Sequence, residues 1–435
     1  MDADTIVAPA TAAGRAAIGV LRVSGPRAAA VCRALTGREP PPPRLASLRR
    51  LAEPASGEVV DRGLVIWFPA PGSYTGEDLL EIQHHGGSAV AAALLSACLA
   101  SPGVRPALPG ELTRRSFLAG RLDLTQVEAV ADLIDATSRA QARQAMRQLD
   151  GELGRRCESW RTALLDALAV VEAEIDFGPD QDLPADLVDS LAASVAAVRD
   201  GMARAVATAR SGERLREGLV VAVTGAPNAG KSTLVNRLAG RDVAIVTAVP
   251  GTTRDVIEVA IELAGLPVVL LDTAGLRDTT DPVEAEGVAR ARRRAATADL
   301  RLLLIAPGEP VPEPDDGSLV VRSKADLAVG PAGSGPLAIS ALTGTGIEAL
   351  LDEVAGRLRA IAGEGTAAVT RERHRLALMD ATAALERFLA GRRDLELALL
   401  GEELRLAVEA IGRVTGRVGV EEVLDRIFAR FCIGK

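Results

Sequence analysis

The 435-residue chain reads as a multidomain α+β and α/β protein in three parts. An N-terminal α+β domain is predicted over residues 1–118, a discontinuous all-α helical domain over 119–216 and 364–435, and an α/β domain inserted at 217–363. Three observations predict this. A helical stripe runs through Leu149, Leu153, Cys157, Trp160, Leu164, Leu168, Val171 and Ile175. An alternation of strand-like and helix-like segments extends from Gly218 to Ala362, and helical spacing then returns at Leu385 and Phe388 and again at Val420, Leu424, Ile427, Phe428 and Phe431. The flanking helical segments are expected to pack on each other, since domain termini often lie close together at a surface and tolerate an insertion.

In the N-terminal part, Ile18 to Val23 and Leu64 to Phe68 are apolar runs of strand length beside turn residues. Pro40 to Pro43 form a rigid surface loop. From Thr125 the spacing becomes helical, steps of three and four place Cys157 in the core, and Phe177-Gly178-Pro179 stops the helix. A second helical stretch spans residues 183–210.

Composition narrows the function. With 48% hydrophobic and 25% charged residues the chain is neither disordered nor collagen-like. Two Trp, one Tyr and six Phe argue against aromatic platforms for single-stranded nucleic acid, and a net charge of −8 argues against an electrostatic nucleic-acid binder of the whole-surface kind. No apolar run reaches the ~18 residues a membrane helix needs, and the acidic start lacks the positive charge of a secretory signal. Four cysteines form neither a disulfide framework nor a paired metal-ligand spacing. A soluble, cytoplasmic protein without membrane association is expected. Of the 50 basic residues only Lys231, Lys324 and Lys435 are lysines, which marks these places for inspection.

The inserted part opens on the strand Leu219 to Thr224, which runs into Gly225-Ala226-Pro227-Asn228-Ala229-Gly230-Lys231-Ser232 and an apolar helix. This is a P-loop in its strand–loop–helix setting. Backbone amides and a helix N-terminus cradle phosphates, Lys231 supplies a compact charge that a broad planar Arg could not, and Ser232 offers a Mg²⁺ ligand. The strand Val268 to Leu271 ends in Asp272-Thr273-Ala274-Gly275, where Asp272 can hold Mg²⁺ through water and the Gly275 amide can sense the γ-phosphate. Ser323-Lys324-Ala325-Asp326 and Ser340-Ala341-Leu342 stand where Ras-like GTPases read guanine. The Asp326 carboxylate accepts from guanine N1–H and N2–H, and the Lys324 stem covers the base. Ser323 replaces the usual Asn; being shorter, it is expected to brace the loop less well against the P-loop and to lower affinity.

Where many GTPases carry a water-orienting Gln, this chain has Leu276. The local polar candidates are Arg277, Asp278, Asp281, Glu284 and Glu286. Upstream, Gly251-Thr252-Thr253-Arg254-Asp255 offers a hydroxyl for Mg²⁺ and the γ-phosphate, and the Asn228 amide oxygen stands where a monovalent cation could neutralise developing charge.

These motifs, with Asp4 to Ala8, Gly19 to Gly25, Tyr74-Thr75-Gly76-Glu77-Asp78 and the terminal Phe431-Cys432-Ile433-Gly434-Lys435, resemble the MnmE (TrmE) family of tRNA-modification GTPases over essentially the whole chain. The resemblance implies an N-terminal tetrahydrofolate-binding and dimerisation domain, a split helical domain and an inserted G domain. It implies a homodimer that forms a heterotetramer with the FAD-dependent protein MnmG, FAD being carried by that partner. Together they install a carboxymethylaminomethyl or aminomethyl group at C5 of the wobble uridine of certain tRNAs. A tetrahydrofolate derivative (5-formyl or 5,10-methylene) supplies the one-carbon unit, and K⁺-dependent G-domain dimerisation activates hydrolysis. By position, GTP would contact Asn228 to Thr233 (with Ala229, Gly230, Lys231 and Ser232 between), Thr247-Ala248-Val249-Pro250-Gly251-Thr252-Thr253, Asp272 to Gly275 with Thr273 and Ala274, Ser323 to Asp326 with Lys324 and Ala325, and Ser340, Ala341 and Leu342. Ser232 and Thr253 would hold Mg²⁺; Asn228, Thr247, Val249 and Thr252 would hold K⁺. Glu284 would orient the catalytic water, Cys432 would take part in modification, and Arg22, Glu81, Arg121 and Lys435 would contact folate. Other members can have Lys at the position of Arg121.

Other features have plainer readings. Arg22 alone would be a solvated charge, and Glu81, alternating with Leu80 and Ile82, a solvent-face residue. His84 and His85 point to opposite sides of a strand, which suits no metal. The segment Gly14 to Gly19 has Val20 where a phosphate loop needs Lys. Arg139, Arg143 and Arg147 form a basic stripe that suits either a solvated face or a tRNA backbone. Two competing functions share some motifs: a ribosome-assembly G protein, which would carry an RNA-binding module after the G domain, and a folate-dependent aminomethyl transferase with an accessory G domain, which would not require the FAD partner.

Overall fold

A computed structural model describes residues 4–177, 187–240, 258–273, 295–313, 317–327, 335–363, 367–392 and 396–418, with 424, 427, 428, 431 and 434. The chain divides into two compact units, residues 1–131 with 415–435 and residues 132–414.

The first unit is built on β1 (Thr5–Pro9), β2 (Ile18–Ser24), α1 (Ala28–Thr36), β3 (Ser47–Ala52), β4 (Val59–Phe68), β5 (Leu79–His85), α2 (Ser88–Leu99), β6 (Val104–Pro106), α3 (Glu111–Leu118) and most of α4 (Leu124–Asp135). The strands form one sheet in the order β3-β4-β5-β2-β1-β6, with β1 and β6 parallel and the other neighbouring pairs antiparallel. Alternation sorts its two faces. Leu21, Val23, Leu80 and Ile82 join Val31, Leu35, Leu94 and Cys98 of α1 and α2 in a core, while Arg22 and Glu81 occupy the opposite face. Phe428 and Phe431 pack with Leu124 and Val127, which ties the end of the chain to this unit.

The second unit contains α5 (Arg139–Leu149), α6 (Glu152–Phe177), α7 (Leu187–Ala207), α8 (Ala209–Glu217), β7 (Leu219–Gly225), α9 (Lys231–Ala239), β8 (Glu258–Leu263), β9 (Leu266–Asp272), β10 (Leu300–Ile305), β11 (Ser318–Arg322), β12 (Leu337–Ala338), α10 (Ile347–Ala362), α11 (Glu372–Gly391) and α12 (Leu397–Thr415). Residues from both sides of the α/β insertion share one helical core: Leu153, Leu164, Val171, Val198 and Met202 meet Leu378, Leu385, Phe388, Leu404 and Ile411. Cys157 is fully buried in it. The stripe that begins at Leu149 is not one helix, because Asp150 and Gly151 (φ +79°) form a turn between α5 and α6. Three- and four-residue steps continue across that turn, so periodicity alone cannot register it.

The insertion is a sheet in the order β12-β11-β10-β7-β9-β8, parallel except for the β8–β9 hairpin, which turns at Ala264-Gly265, both at positive φ. β7 lies between β10 and β9, and its near-continuous apolar pattern is that of a strand covered on both faces. Parallel pairing aligns the carboxyl ends of these strands along one edge, where open α/β sheets bind ligands.

Candidate functional site

The P-loop follows β7 at this edge. Gly225 has φ +140°, and a Cβ there would stand 2.3 Å from the Leu304 carbonyl oxygen, so no other residue lets β7 pair this closely with β10. Asn228 (φ +64°) and Gly230 (φ +96°) bend the loop back into α9, whose uncapped first turn presents its amides to the loop. Lys231 is 7% exposed; its Nζ donates to the carbonyl oxygens of Gly225 (2.9 Å) and Ala226 (2.8 Å). The ammonium is thereby held at the mouth of the loop, where a phosphate oxygen can take over from these neutral acceptors. Ser232 and Thr233 lie exposed in the same helical turn, and Ala229 is buried beneath.

Asp272 ends β9 directly across from Val223 of β7 and is 3% exposed. Thr273 donates its hydroxyl to the Val223 carbonyl oxygen at 2.7 Å, which pins this strand end to the base of the P-loop. A buried carboxylate at the end of β9 and an exposed serine hydroxyl in the first turn of α9 form a hard oxygen donor set that fits Mg²⁺.

The base-reading segments follow β11 and β12. Ser323 is 4% exposed and turns its hydroxyl onto the Ile305 carbonyl oxygen of β10 (3.1 Å), so its brace is to the sheet. Lys324 takes a left-handed φ of +55°, Asp326 is exposed, and the Ala325 amide bonds the Ile339 carbonyl oxygen at 2.9 Å, joining the two segments. Ser340 is fully buried and accepts from the Thr343 amide at 3.1 Å, while Leu342 is exposed. Sequence reasoning missed Arg237. Its Nη1 on α9 donates to the carbonyl oxygens of Ala341 and Leu342, both at 2.9 Å, tying the base loop to the phosphate helix across more than 100 residues. No local motif announces it.

In the first unit, Arg22 Nε donates to Glu81 Oε1 at 2.8 Å, and its guanidinium lies 6.0 Å from the Tyr74 ring centre. Arg22 is therefore ion-paired rather than merely solvated. Arg121 is exposed beside Gly76. The intervening loop is fixed by charge: Arg115 reaches Glu77 at 3.0 Å and Asp4 at 2.7 Å, and Arg105 pairs with Asp4 and Glu111. Burial pushes the Glu111 carboxyl up, but Arg105, the Leu108 amide and Arg115 together outweigh it and hold the carboxyl below its ordinary range. Thr247, Ala248, Val249, Pro250, Gly251, Thr252, Thr253, Ala274, Gly275, Glu284, Cys432 and Lys435 lie outside the described residues.

A P-loop, a strand-end carboxylate and a Lys-x-Asp base loop on one carboxyl edge of a parallel sheet define a P-loop GTPase. The family profile described as "MnmE helical domain" matches residues 124–432, and "GTP-binding protein TrmE N-terminus" matches residues 5–121. The tRNA modification GTPase MnmE of Methylobacterium sp. (strain 4-46) is 56% identical over 99% of this chain and 100% of its own length. The protein of the same description from Methylorubrum populi is 53% identical over 99% and 98%. Among solved structures, the G domain of the T. maritima FeoB iron transporter aligns with 33% of this chain and 99% of its own, at 24% identity and a TM-score of 0.24. The chain belongs to the MnmE family of tRNA-modification GTPases. It binds GTP with Mg²⁺ and hydrolyses it in tRNA modification; no helix among the described residues is long and apolar enough to cross a membrane.

Proposed function

We propose that this GTPase works with the FAD-dependent protein MnmG to install a carboxymethylaminomethyl or aminomethyl group at C5 of the wobble uridine of certain tRNAs. The observation that supports it is full-length similarity to tRNA-modification GTPases combined with a P-loop, a strand-end carboxylate and a base-reading loop on one edge of the inserted sheet. The working unit is a cytoplasmic homodimer joined to MnmG in a heterotetramer. Its domains are a folate-binding and dimerisation domain over 1–118, a helical domain over 119–216 and 364–435, and a G domain over 217–363.

Within it, Lys231 and the loop amides from Asn228 to Thr233 bind the phosphates, and Ser232 and Thr253 hold Mg²⁺, which neutralises charge on the phosphates when bound. The base is read by Asp326 with Lys324, Ser323, Ala325, Ser340, Ala341 and Leu342. Asn228, Thr247, Val249 and Thr252 take K⁺, and dimerisation of the G domains across it activates hydrolysis. Glu284 orients the attacking water. Residues 247–253 and 272–275 complete the nucleotide site.

Arg22, Glu81, Arg121 and Lys435 bind a 5-formyl or 5,10-methylene tetrahydrofolate. The first two suit a pterin, which needs a donor and an acceptor side by side, and the Arg22 guanidinium lies over Tyr74. Cys432 takes part in the modification step. Nucleoside analysis of tRNA from cells lacking this protein tests the proposal: hypomodified wobble uridines are expected, and unchanged ones would refute it. Hydrolysis measured in K⁺ and in Na⁺ tests the cation, with equal rates as the refuting outcome. Glu284→Ala should abolish turnover while leaving GTP binding intact.

A further inference from the structure

A cavity of about 250 Å³ lies in the first unit between residues 11–16, the start of β2 and the first two turns of α2. Gly19, Leu21 and His84 place it on the helix-covered face of the sheet, opposite the face that carries Arg22 and Glu81. Among the described residues its lining contains no Asp, Glu, Lys or Arg, and the one titratable side chain is His84.

His84 is 4% exposed and stands opposite Gly19 in the β2–β5 register. Its ring covers Gly19 so closely that a Cβ there would be 2.5 Å from Cε1 and 2.8 Å from Nε2. Nδ1 faces the His85 carbonyl oxygen at 2.8 Å. A carbonyl only accepts, so Nδ1 carries the proton, and Nε2 is left with no hydrogen bond to any described residue. Beside the ring, the twelve-residue α2 begins at Gly87, with no side-chain cap and no acid in its first turn. The first-turn amides, from Ser88 onward, have no acceptor within the helix and carry its positive end. Farther along, the walls are apolar: Ala91, Ala92 and Leu95 from α2, with Leu21 of the sheet on the same face.

We propose that this cavity binds a small aliphatic carboxylic acid. The acid's proton passes to His84 Nε2, its carboxylate then accepts from that Nε2–H and from the amides at the start of α2, and its tail lies along Ala91 and Leu95. A proton-neutral uptake of this kind avoids burying a net charge. At roughly 30 Å³ per water-sized group the cavity holds about eight heavy atoms, the number in hexanoate.

Hexanoate is the probe, titrated into the full-length chain carrying ¹³Cε1-labelled histidine. The chain has three histidines, so each resonance can be followed. The expected result is a saturable shift of His84 toward its protonated position while His374 stays in place. Hexylammonium should give no such shift. Ala91→Phe, which fills the apolar end without touching His84, should weaken hexanoate at least tenfold with the His374 signal unchanged. His84→Phe should abolish binding if the variant folds. A non-saturable shift, an equal response to inorganic phosphate, or unweakened binding by Ala91→Phe would each overturn the proposal.

Discussion

Replacing Gln148 should loosen the joint through which the nucleotide-binding sheet is attached to the helices. α5 carries Gln141, Gln144 and Gln148 along one side, and each side-chain amide donates to a backbone carbonyl. Gln141 reaches Arg216 O at 3.0 Å, Gln144 reaches Gly212 O at 3.1 Å, and Gln148 reaches Ala368 O. The first two acceptors lie on α8, which leads into β7 and the P-loop; the third lies on the segment that returns from the sheet to α11. Arg216 Nε bonds Thr370 O at 3.1 Å, and Asp132 accepts from Arg371 at 2.6 Å, closing the joint from the other side.

Gln148 is 5% exposed and Ala368 is 4% exposed, so water does not readily replace a lost partner. Gln148→Met keeps the volume and removes the donor. Its cost is a net hydrogen bond of about 1 kcal/mol plus desolvation of a stranded carbonyl at about 1–3 kcal/mol, offset in part because the buried Gln148 Oε1, which accepts from no described residue, is also removed, leaving roughly 1–2 kcal/mol. For a unit of this size each kcal/mol lowers Tm by roughly 2–4 °C, so a drop of about 2–8 °C is expected. Gln148→Ala should cost more, because it also leaves a void. Arg143→Ala, on the exposed side of the same helix, should stay within about 0.5 kcal/mol of wild type. Calorimetry measures the shifts, and hydrogen exchange of the amides near Ala368 reports where the loosening occurs. A Gln148→Met protein that melts with wild type would refute the reasoning.

Lys231→Ala should weaken GTP by about a hundredfold, the equivalent of ~3 kcal/mol of charge-assisted bonding, and Lys231→Arg should not restore it; fluorescent GTP titration checks both. Acid stability should depend on the cluster at Arg105. The hydrogen bond from Arg105 is the largest influence on Asp4 and holds that carboxyl below its ordinary range, as Glu111 is held below its own of 4.5. Both folded values are depressed, so their contribution is fully present above the unfolded values and is lost as pH falls below about 4.5 and through the folded ones. Arg105→Gln should thus be less stable at pH 7 and lose stability less steeply below pH 4.5, as urea midpoints across pH would show. Burial pushes the Cys98 thiol up to about 12 and also raises Cys32, so in a Cys432→Ser background a thiol reagent at pH 8 should label neither until denaturant is added.

The parts of the site that could be read from sequence are those whose chemistry is contiguous. Gly225 to Ser232 must be consecutive because backbone amides wrap one phosphate group, and Ser323 to Asp326 because one loop reads one base. Arg237 was illegible for the opposite reason: an arginine in an amphipathic helix carries no mark of the carbonyls of Ala341 and Leu342, more than 100 residues away, that it will meet. The break at Asp150-Gly151 was hidden because helical spacing survives a short turn. The brace of Ser323 onto Ile305 depends on strand order, which no local pattern fixes.

α5 shows how far periodicity can reach and where it stops. Its sequence, Arg-Ala-Gln-Ala-Arg-Gln-Ala-Met-Arg-Gln, contains two polar series at helical spacing. Arg139, Arg143 and Arg147 step by four; Gln141, Gln144 and Gln148 step by three and four. Both satisfy the rule for a solvated face, and the helix has few large apolar residues to say which side is inside. Arginine draws attention first, because a basic stripe suits a phosphate backbone. In the fold Arg139 and Arg143 are exposed and Arg147 lies 4.0 Å from Glu152, whereas Gln144 and Gln148 are buried. A neutral amide can be buried at the cost of its hydrogen bonds alone, and backbone carbonyls meet the side-chain N–H donors here, with Gln148 Oε1 left without a partner among the described residues; a guanidinium would also need a counter-charge. The uncharged series therefore faces inward and attaches the GTPase sheet, and the arginine series is left on the outer side.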